Sequence, residues 1–452
     1  MFSILEIASE TGANYTGEDA IVTSVSTDTR DLPEGCIFIA LKGDHFDGHN
    51  FIGEALGGGA AFAVSMEKEA PPNDRVLYVK DTRDALLGIA RLHRRKTPAK
   101  AVGITGSSGK TTTKEMIANV LSSELNTIKT EKNLNNEIGL SKTILRLDES
   151  TEAAVFEMGI DGPGQMARMS RAALPDIAVI TNIGVTHIEA FGTRERILNE
   201  KIDITAGLKD GGTLILCGDN DLLRPLKRTR FNVIKYGITN ANATVRAKKI
   251  QEYAGHTEFT ISWDGKSFDA GIPALGRHNV LNALAAFCVG VSLDLKPQNI
   301  ITALRSYRPE GMRQNIVRHN SLTIVEDCYN ANPDSMRAAL TTLGNMRCDG
   351  RRIAVLSDMG ELGAIAESSH FETGEFAARC GLDYLLCTGR LSEGYVAGAR
   401  DAGMSDAFHY ETQELLLKAI KSLASPGDIF WFKASRSMKL EDVMQQIYHL
   451  KR

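Results

Sequence analysis

One stretch limits the fold more than any other: AVGITGSSGKTTTK, residues 101–114. The apolar run 101–105 reads as a buried strand, the small residues after it as a tight loop, and the segment from about Thr111 as a helix. Small residues let backbone N–H groups turn inward around phosphate oxygens, and a helix N-terminus adds partial positive charge. On this reading Gly106, Ser107, Ser108, Gly109 and Thr112 surround the phosphates. Lys110 bridges the β- and γ-phosphates, and the Thr111 hydroxyl reaches Mg²⁺. The spacing GxxxxGK[ST] is not met, because only two residues separate Gly106 from Gly109. A plain Gly/Ser joint between strand and helix therefore stays open as the alternative. Either way, strand, loop and helix in this order belong to α/β architecture.

Alternation of β-branched runs with helical patterns recurs along the chain and separates three blocks. In the first, apolar runs at 35–41 and 75–79 precede a helix at 84–96, and Thr97-Pro98 breaks it. The second adds strands at Ala153–Glu157, 177–182 and Thr213–Cys217, an antiparallel addition at 257–263 and a helix at 279–291. A linker at 307–311 follows. The third predicts strands at 322–326, 353–356, 384–387 and Ile429–Lys433, with helices at 335–346 and 440–450. The implied domains are 1–97, 98–312 and 313–452, in keeping with 452 residues at roughly 100–200 per domain.

Composition removes several classes. With 52 Lys+Arg against 56 Asp+Glu the chain lacks the basic excess of a general nucleic-acid binder. No apolar run approaches the roughly 18 residues that membrane insertion needs. The N-terminal MFSILEIASETGANYTGED has neither a basic start nor a long apolar segment, so no secretory leader is expected. The seven cysteines are scattered without a CxxC pair, which predicts reduced thiols in a cytoplasm.

Three further residues suit phosphate and metal chemistry. Glu157, in VFEMG, closes a strand at the end where α/β proteins place ligands. His187, in TNIGVTHIE, also follows a strand closely. Lys201, in NEKIDI, looks by itself like any surface helix lysine. A solvated or capping carboxylate and an uninvolved histidine are the bland readings of the other two, and only the combination lifts all three.

The series TGSSGKTTTKE, EMG, TNIGVTHIEAFGT, NEKIDI and GRHNVLNALAA, in this order, resembles the Mur ligase family. These are ATP-dependent amide-bond-forming enzymes of peptidoglycan precursor synthesis, sharing a central fold with folylpolyglutamate synthetases. The shortened phosphate loop is the one that family uses. VEDCYNANPDSM, AVLSDMGELG and KASRSM narrow the resemblance to the member that adds D-alanyl-D-alanine to UDP-N-acetylmuramoyl-tripeptide. VSTDTR and GCIFIALKGDHFDGHNFI are similar to that member's nucleotide-sugar region. The resemblance covers nearly the whole chain. Two departures are visible: Glu326-Asp327 where the family often has paired Asp, and Ser357-Asp358-Met359 where it has Gly-Asp-Met.

The resemblance implies an α/β protein of three domains: a nucleotide-sugar-binding N-terminal domain, a central P-loop ATPase-like parallel-sheet domain and a C-terminal Rossmann-like domain. It implies activation of a peptide carboxylate by ATP as an acyl phosphate, which the dipeptide amine then attacks. ATP and two Mg²⁺ ions are expected, with Thr111 and Glu157 at one ion and His187 at the other. Lys201 matches the family lysine that CO₂ carbamylates, which converts a cation into an anionic oxygen ligand. Lys110, His187 and Lys201 form the expected catalytic set. Asn279, beside His278, is expected at adenine, with helix N-capping as its alternative. Arg313 and Asp327 are expected at the nucleotide's phosphates and ribose. Tyr329, Asn330 and Asn332 are expected on the dipeptide and nucleotide side, with Ser335 capping the next helix. Lys433, Ser435 and Arg436 hold the dipeptide or a phosphate, unless they form an ordinary basic loop. Ser26, Thr27, Asp28 and Arg30 are expected at the uridine diphosphate, and Lys42, Asp47, Gly48 and His49 form a second such segment. Asn135 and Asn136 are assigned to the diphosphate or sugar.

The expected partners are thus the small molecules UDP-N-acetylmuramoyl-tripeptide and D-Ala-D-Ala, with no nucleic acid, no membrane insertion and a cytoplasmic monomer. Hinges are expected at Thr97-Pro98 and near 309–311. A sibling ligase adding the third residue would carry another acceptor motif in place of YNANPDSM. A folylpolyglutamate synthetase would lack the long first block, and a scaffold that had lost ligation has little reason to keep Lys110, Glu157, His187 and Lys201 together.

Overall fold

Short apolar runs flanked by Gly, Pro and Asx turns are too brief for helices and too apolar to be left in water, so they pair as buried parallel strands. The computed structural model describes all residues except 16, 68–72, 228, 254, 310 and 449–452. Glu310 of the expected linker and the last two residues of the expected final helix lie outside the described residues.

The N-terminal sheet has four parallel strands in chain order, Val25–Ser26, Ile37–Ile39, Phe62–Ser65 and Val76–Tyr78. Every residue of Ile37–Ile39 is buried, as expected for a parallel strand covered on both faces. The helix Thr82–Lys96 starts two residues before the expected Asp84, because the Asp81 carboxylate accepts the amides of Arg83 and Asp84 as an N-cap. It ends at Thr97, where Pro98 disfavours a further turn. Its Ala85, Leu86 and Ile89 pack against Ile37, Ile39 and Val64.

A nine-stranded sheet forms the middle of the chain. Its order is Lys266–Ile272, His256–Trp263, Val245–Tyr253, Asn232–Gly237, Thr213–Cys217, Ile177–Ile180, Lys100–Thr105, Ala153–Glu157 and Thr127–Lys129. The pairs through Val245–Tyr253, His256–Trp263 and Lys266–Ile272 are antiparallel, which is the addition expected from the alternation at 257–263. The strand expected at 177–182 stops at Ile180, freeing Thr181 and Asn182 for the loop described below.

The C-terminal sheet has six strands ordered Asn315–His319, Leu322–Asp327, Ile429–Lys433, Arg352–Leu356, Tyr384–Thr388 and Ala407–Tyr410. Only Asn315–His319 pairs antiparallel. One apolar cluster joins Val325, Leu356 and Trp431 to Met336, Leu340 and Leu343 of the helix Pro333–Asn345. A second joins Ile324, Phe430 and Phe432 to residues of Gln413–Leu423 and Glu441–Tyr448 on the other face. Helices on both faces of a parallel sheet make this part doubly wound.

The chain forms two compact units. One holds Met1–Gly103, Leu125–Ala178 and Asp203–Gly212; the other holds Ile104–Glu124, Val179–Ile202 and Thr213–Arg452. Among the described residues no helix is long and apolar enough to cross a membrane.

Two C-terminal helices, Ala366–Arg379 and Glu393–Asp401, cross on glycines. A Cβ on Gly374 would lie 1.9 Å from the Tyr395 carbonyl oxygen, and one on Gly398 would lie 2.0 Å from that of Phe371. The obstacle is backbone, so the helices themselves must separate to admit a methyl group. Gly374→Ala is expected to cost about 1–3 kcal/mol and lower the urea midpoint. Gly53→Ala, where nothing lies within 4 Å, should leave the midpoint unchanged or raise it. Equal midpoints for wild type and Gly374→Ala would refute the packing argument.

Candidate active site

The phosphate loop follows Lys100–Thr105 as the sequence predicts, and the helix Lys110–Leu121 begins one residue before the expected Thr111. Gly109, at φ 78°, is its N-cap and offers no side chain to the helix amides. A helix start left open in this way suits an anion. The loop is held by the segment Thr181-Asn182-Ile183-Gly184. The Ser107 amide donates to the Asn182 carbonyl at 3.0 Å, and the Ser108 amide to Asn182 Oδ1 at 2.7 Å. Thr181 Oγ1 donates to the Ser108 carbonyl at 2.6 Å, and the Gly184 amide to Ser107 Oγ at 2.9 Å. Lys110 Nζ donates to the Gly106 carbonyl at 2.8 Å, which keeps the ammonium over its own loop. Thr111 and Thr112 are half-buried in the first turn.

Lys201 corrects the surface-lysine reading: only 1% of it is exposed. Its Nζ has no hydrogen-bond partner among the described residues. Burial, and next the positive charge of Lys110, push its pKa well below the usual lysine range. Burial of this kind disfavours the ammonium form and favours the amine with its lone pair. His187 adopts φ 64°, and its Nδ1 lies 2.9 Å from Glu361 Oε2. The hydrogen bond from His187, with help from Lys110, holds the Glu361 carboxyl below its usual range. Glu361 lies in the quoted AVLSDMGELG motif but had no role from sequence, because nothing local says which loop residue meets His187.

The adenine candidate also changes character. The helix Arg277–Ser292 is capped by Gly276 at φ 90°, so Asn279 is its third residue and not its N-cap. Its Nδ2 donates to the Leu275 carbonyl and to Gln314 Oε1, both at 2.8 Å, and its Oδ1 accepts from Asn282 Nδ2 at 3.1 Å. Asn282 Oδ1 accepts from Thr113 Oγ1 at 3.1 Å, so the network reaches the phosphate-loop helix. Gln314 Nε2 lies 2.8 Å from His278 Nε2. Burial first, and the charge of Lys433 second, push the His278 pKa down to about 4, so the ring is neutral. Gln314, at φ 56°, had no signal in the sequence.

In the C-terminal segment Asn332, not Ser335, is the N-cap of Pro333–Asn345. Its Oδ1 accepts the Ser335 amide at 2.9 Å, while Ser335 Oγ accepts the Asn332 amide at 3.0 Å. Asn332 Nδ2 donates to Thr186 Oγ1 at 2.9 Å and to Ser108 Oγ at 3.2 Å, directly onto the phosphate loop. Asp327 is buried against Lys433, whose Nζ donates to it at 2.9 Å and to the Asn330 carbonyl at 3.0 Å. Burial raises the Asp327 pKa, and Lys433 opposes that rise. Lys433 is itself 2% exposed, so the reading of 433–436 as an ordinary basic loop does not hold for it. The Arg313 guanidinium stacks on the Tyr329 ring at 3.8 Å. Asn330 Oδ1 accepts the Ala331 amide, and Ser435 Oγ accepts the Gly360 amide at 2.8 Å. Arg436 is 2.6 Å from Glu441.

In the other unit, Glu157 is 2% exposed and Asn135 Nδ2 donates to its Oε1 at 2.9 Å. Asn136 caps the helix Glu137–Ile144 by accepting the Gly139 amide at 2.9 Å. The two asparagines expected at one ligand thus do different local work. Ser26 Oγ donates to the carbonyls of Asp28 and Asp31, each at 3.0 Å. Arg30 grips Asp28 through Nε at 2.9 Å and through NH2 at 2.6 Å, and Thr27 lies half-buried in the same bend. Gly48 passes so close to Leu41 that a Cβ would be 2.7 Å from its carbonyl. His49 Nε2 accepts the Met66 amide and its Nδ1 faces Asp47 at 2.6 Å, so the ring positions Asp47. Asp47, His49 and Glu67 are close enough to share a cation, but Lys42 Nζ already stands 2.7 Å from Asp47 and 3.6 Å from Glu67.

A shortened phosphate loop, an orphaned buried lysine and three α/β sheets define a P-loop nucleotide-dependent enzyme. Residues 21–94 match the model of the Mur ligase family catalytic domain, 104–290 the Mur ligase middle domain and 312–436 the Mur ligase glutamate ligase domain. The chain is 38% identical over 450 residues to the UDP-N-acetylmuramoyl-tripeptide--D-alanyl-D-alanine ligase of Bacillus subtilis, covering 98% of this chain and 97% of that one. Among solved structures it resembles MurF from Acinetobacter baumannii, with TM-score 0.90, 27% identity and 99% of both chains covered. It also resembles MurF ligase from Thermotoga maritima in complex with ADP, with TM-score 0.86, 30% identity and 94% and 97% covered. The chain belongs to the Mur ligase family.

The loop geometry gives a direct test. A Cβ on Gly106, at φ 153°, would fall 1.9 Å from Thr181 Oγ1 and dislodge the hydroxyl from Ser108. Gly106→Ala is expected to weaken ATP-analogue binding about tenfold to a hundredfold, equivalent to about 1–3 kcal/mol, with an unchanged far-UV spectrum. Native affinity in a calorimetric titration would show that the loop tolerates the displacement.

Proposed function

We propose that this chain joins D-Ala-D-Ala to UDP-N-acetylmuramoyl-tripeptide at the expense of ATP, giving UDP-N-acetylmuramoyl-pentapeptide for peptidoglycan precursors. The observation that carries this reading is the hydrogen bonding of Asn332, in the acceptor-type motif YNANPDSM, to Ser108 of the phosphate loop. Full-length similarity to ligases of that name supports it. Residues 1–97 hold the nucleotide sugar, 98–312 hold ATP and 313–452 serve the dipeptide. The enzyme works as a cytoplasmic monomer.

The chemistry begins with two anions. A peptide carboxylate oxygen attacks the γ-phosphorus of ATP, forming an acyl phosphate as the bond to ADP breaks. Two unit charges at 4 Å repel by about 4 kcal/mol at an effective dielectric constant near 20. Lys110 offsets part of this, and the open N-terminus of Lys110–Leu121 faces the phosphates. The dipeptide amine, once it has lost a proton, then attacks the acyl carbon. The tetrahedral intermediate collapses to the amide, with inorganic phosphate leaving. Arg313 and Asp327 serve the nucleotide phosphates and ribose, Asn279 lies at the adenine, and Tyr329, Asn330, Ser435 and Arg436 serve the acceptor side. Ser26, Thr27, Asp28, Arg30, Lys42, Asp47, His49, Asn135 and Asn136 serve the uridine-diphosphate sugar, several by positioning one another.

The orphaned Lys201 nitrogen fits a metal centre completed by modification. Its neutral amine adds to CO₂, the N–C bond forms and one proton leaves, giving an anionic carbamate. Thr111 and Glu157 would hold one Mg²⁺, and His187 with the Lys201 carbamate the other, oxygen donors being what Mg²⁺ prefers. When bound, the ions supply charge neutralisation for the meeting of carboxylate and triphosphate.

The test is phosphate release with Mg²⁺, ATP, D-Ala-D-Ala and tripeptides ending in diaminopimelate or lysine, each component omitted in turn, with the product identified by mass. Pentapeptide dependent on every component is expected; no turnover with either tripeptide would overturn the reading. Independently, ¹³C-bicarbonate should give a carbamate resonance that Lys201→Ala lacks. Lys201→Ala should lose turnover and recover part of it with short carboxylic acids. Full activity of Lys201→Ala would end the carbamate assignment.

A further inference from the structure

Glu361 has no assigned role, yet its setting is unusual. It stands at φ 62°, in the left-handed region that costs a non-glycine residue energy, with glycines available at 360 and 363. Its partner His187 is also left-handed, at φ 64°. Two side chains meeting at 2.9 Å from two strained backbones need a structure that holds both.

That structure is present. Met359 and Leu362 are each 2% exposed, and Val185, two residues before His187, packs on the cluster they belong to. The Met359 amide donates to His370 Nε2 at 3.0 Å, and the Gly360 amide donates to Ser435 Oγ at 2.8 Å. The Leu391 amide fixes Asp358 Oδ1 at 3.1 Å. Residues on both sides of Glu361 are thus tied down, and its side chain, 60% exposed, is left as the loop's reach toward His187. A solvent-open ion pair stabilises a fold very little, so fold stability does not account for this bracing.

We propose that Glu361 is a positioning residue that fixes the tautomer and ring orientation of His187. A proton on Nδ1, facing the Glu361 carboxylate at 2.9 Å, leaves Nε2 as the imidazole's lone-pair nitrogen. A carboxylate behind a histidine is the usual way to set which nitrogen serves a metal. The purpose rests on the assignment of His187 to a Mg²⁺ in the proposed function; the tautomer itself does not.

The experiment uses the full chain labelled with ¹⁵N-histidine, with the His187 signals assigned by their loss in His187→Ala. Mn²⁺ affinity is measured in parallel by electron paramagnetic resonance. In the wild type His187 is expected as the Nδ1–H tautomer. Glu361→Gly suits the left-handed backbone, so its thermal midpoint should stay level or rise. The same variant should lose the tautomer preference and weaken Mn²⁺ binding about tenfold or more. Glu361→Gln keeps an acceptor and should retain most of the tautomer preference. Native ¹⁵N shifts in Glu361→Gly would overturn the proposal. Native Mn²⁺ affinity in His187→Ala would instead remove the metal assignment, while the tautomer result still decides the role of Glu361.

Discussion

Asn182 grips the phosphate loop with its backbone carbonyl at Ser107 and its side chain at Ser108, and Thr181 and Gly184 add bonds on either side. A loop that must point its amides at a ligand cannot also satisfy its own polar groups internally. The neighbouring segment therefore supplies the remaining partners, and much of the site follows from that segment. Ile177–Ile180 ends early so that residues 181 and 182 can turn to the loop. A few residues on, Thr186 meets Asn332 and His187 meets Glu361, so one stretch of chain sets the phosphate loop, the YNANPDSM motif and the histidine together.

Three lysines of this unit differ in the partners that their side-chain nitrogens find. Lys110 Nζ has the Gly106 carbonyl as a partner. Lys433, more deeply buried than Lys110, has Asp327 and the Asn330 carbonyl. Lys201 has neither, and burial, with Lys110 nearby, pushes its pKa well below the usual lysine range. The same residue type thus lies over a loop carbonyl, is paired with a carboxylate or is buried without a hydrogen bond, and only the surroundings distinguish the three.

Those surroundings are what the sequence conceals. Apolar runs announced Ala153–Glu157, Thr213–Cys217 and Ile429–Lys433 to the residue, because a parallel strand buried on both faces leaves an unbroken hydrophobic signature. Helix starts were displaced by a residue or two where Asp81, Gly109 and Asn332 act as caps. The phosphate loop was legible since its chemistry is local in the chain. Lys201 read as a surface residue because its helix, Arg194–Ile202, carries mostly polar residues and burial is decided by what packs over it. Gln314 and Glu361 gave no signal, as each acts through a partner more than thirty residues away in sequence. The adjacent Asn135 and Asn136 shared one motif and one expectation, yet one cap and one carboxylate contact separate them.

Side chains expected to touch ligands are repeatedly found holding other side chains. Asn135 holds Glu157, His49 holds Asp47, Ser435 holds the loop of Glu361, and Asn279 sits in a chain of amides from Gln314 to Thr113. Such supports matter because bringing two anions together leaves little tolerance for misplaced charge: the repulsion scales inversely with distance, and so does each cation's help. A ligand-binding residue that can rotate away loses both its orientation and its electrostatic value. On the proposed positioning role, the same reasoning accounts for a left-handed glutamate beside His187 where a glycine would cost the backbone less. Strain of that kind persists where rigid placement of a functional nitrogen is worth more than an easier loop.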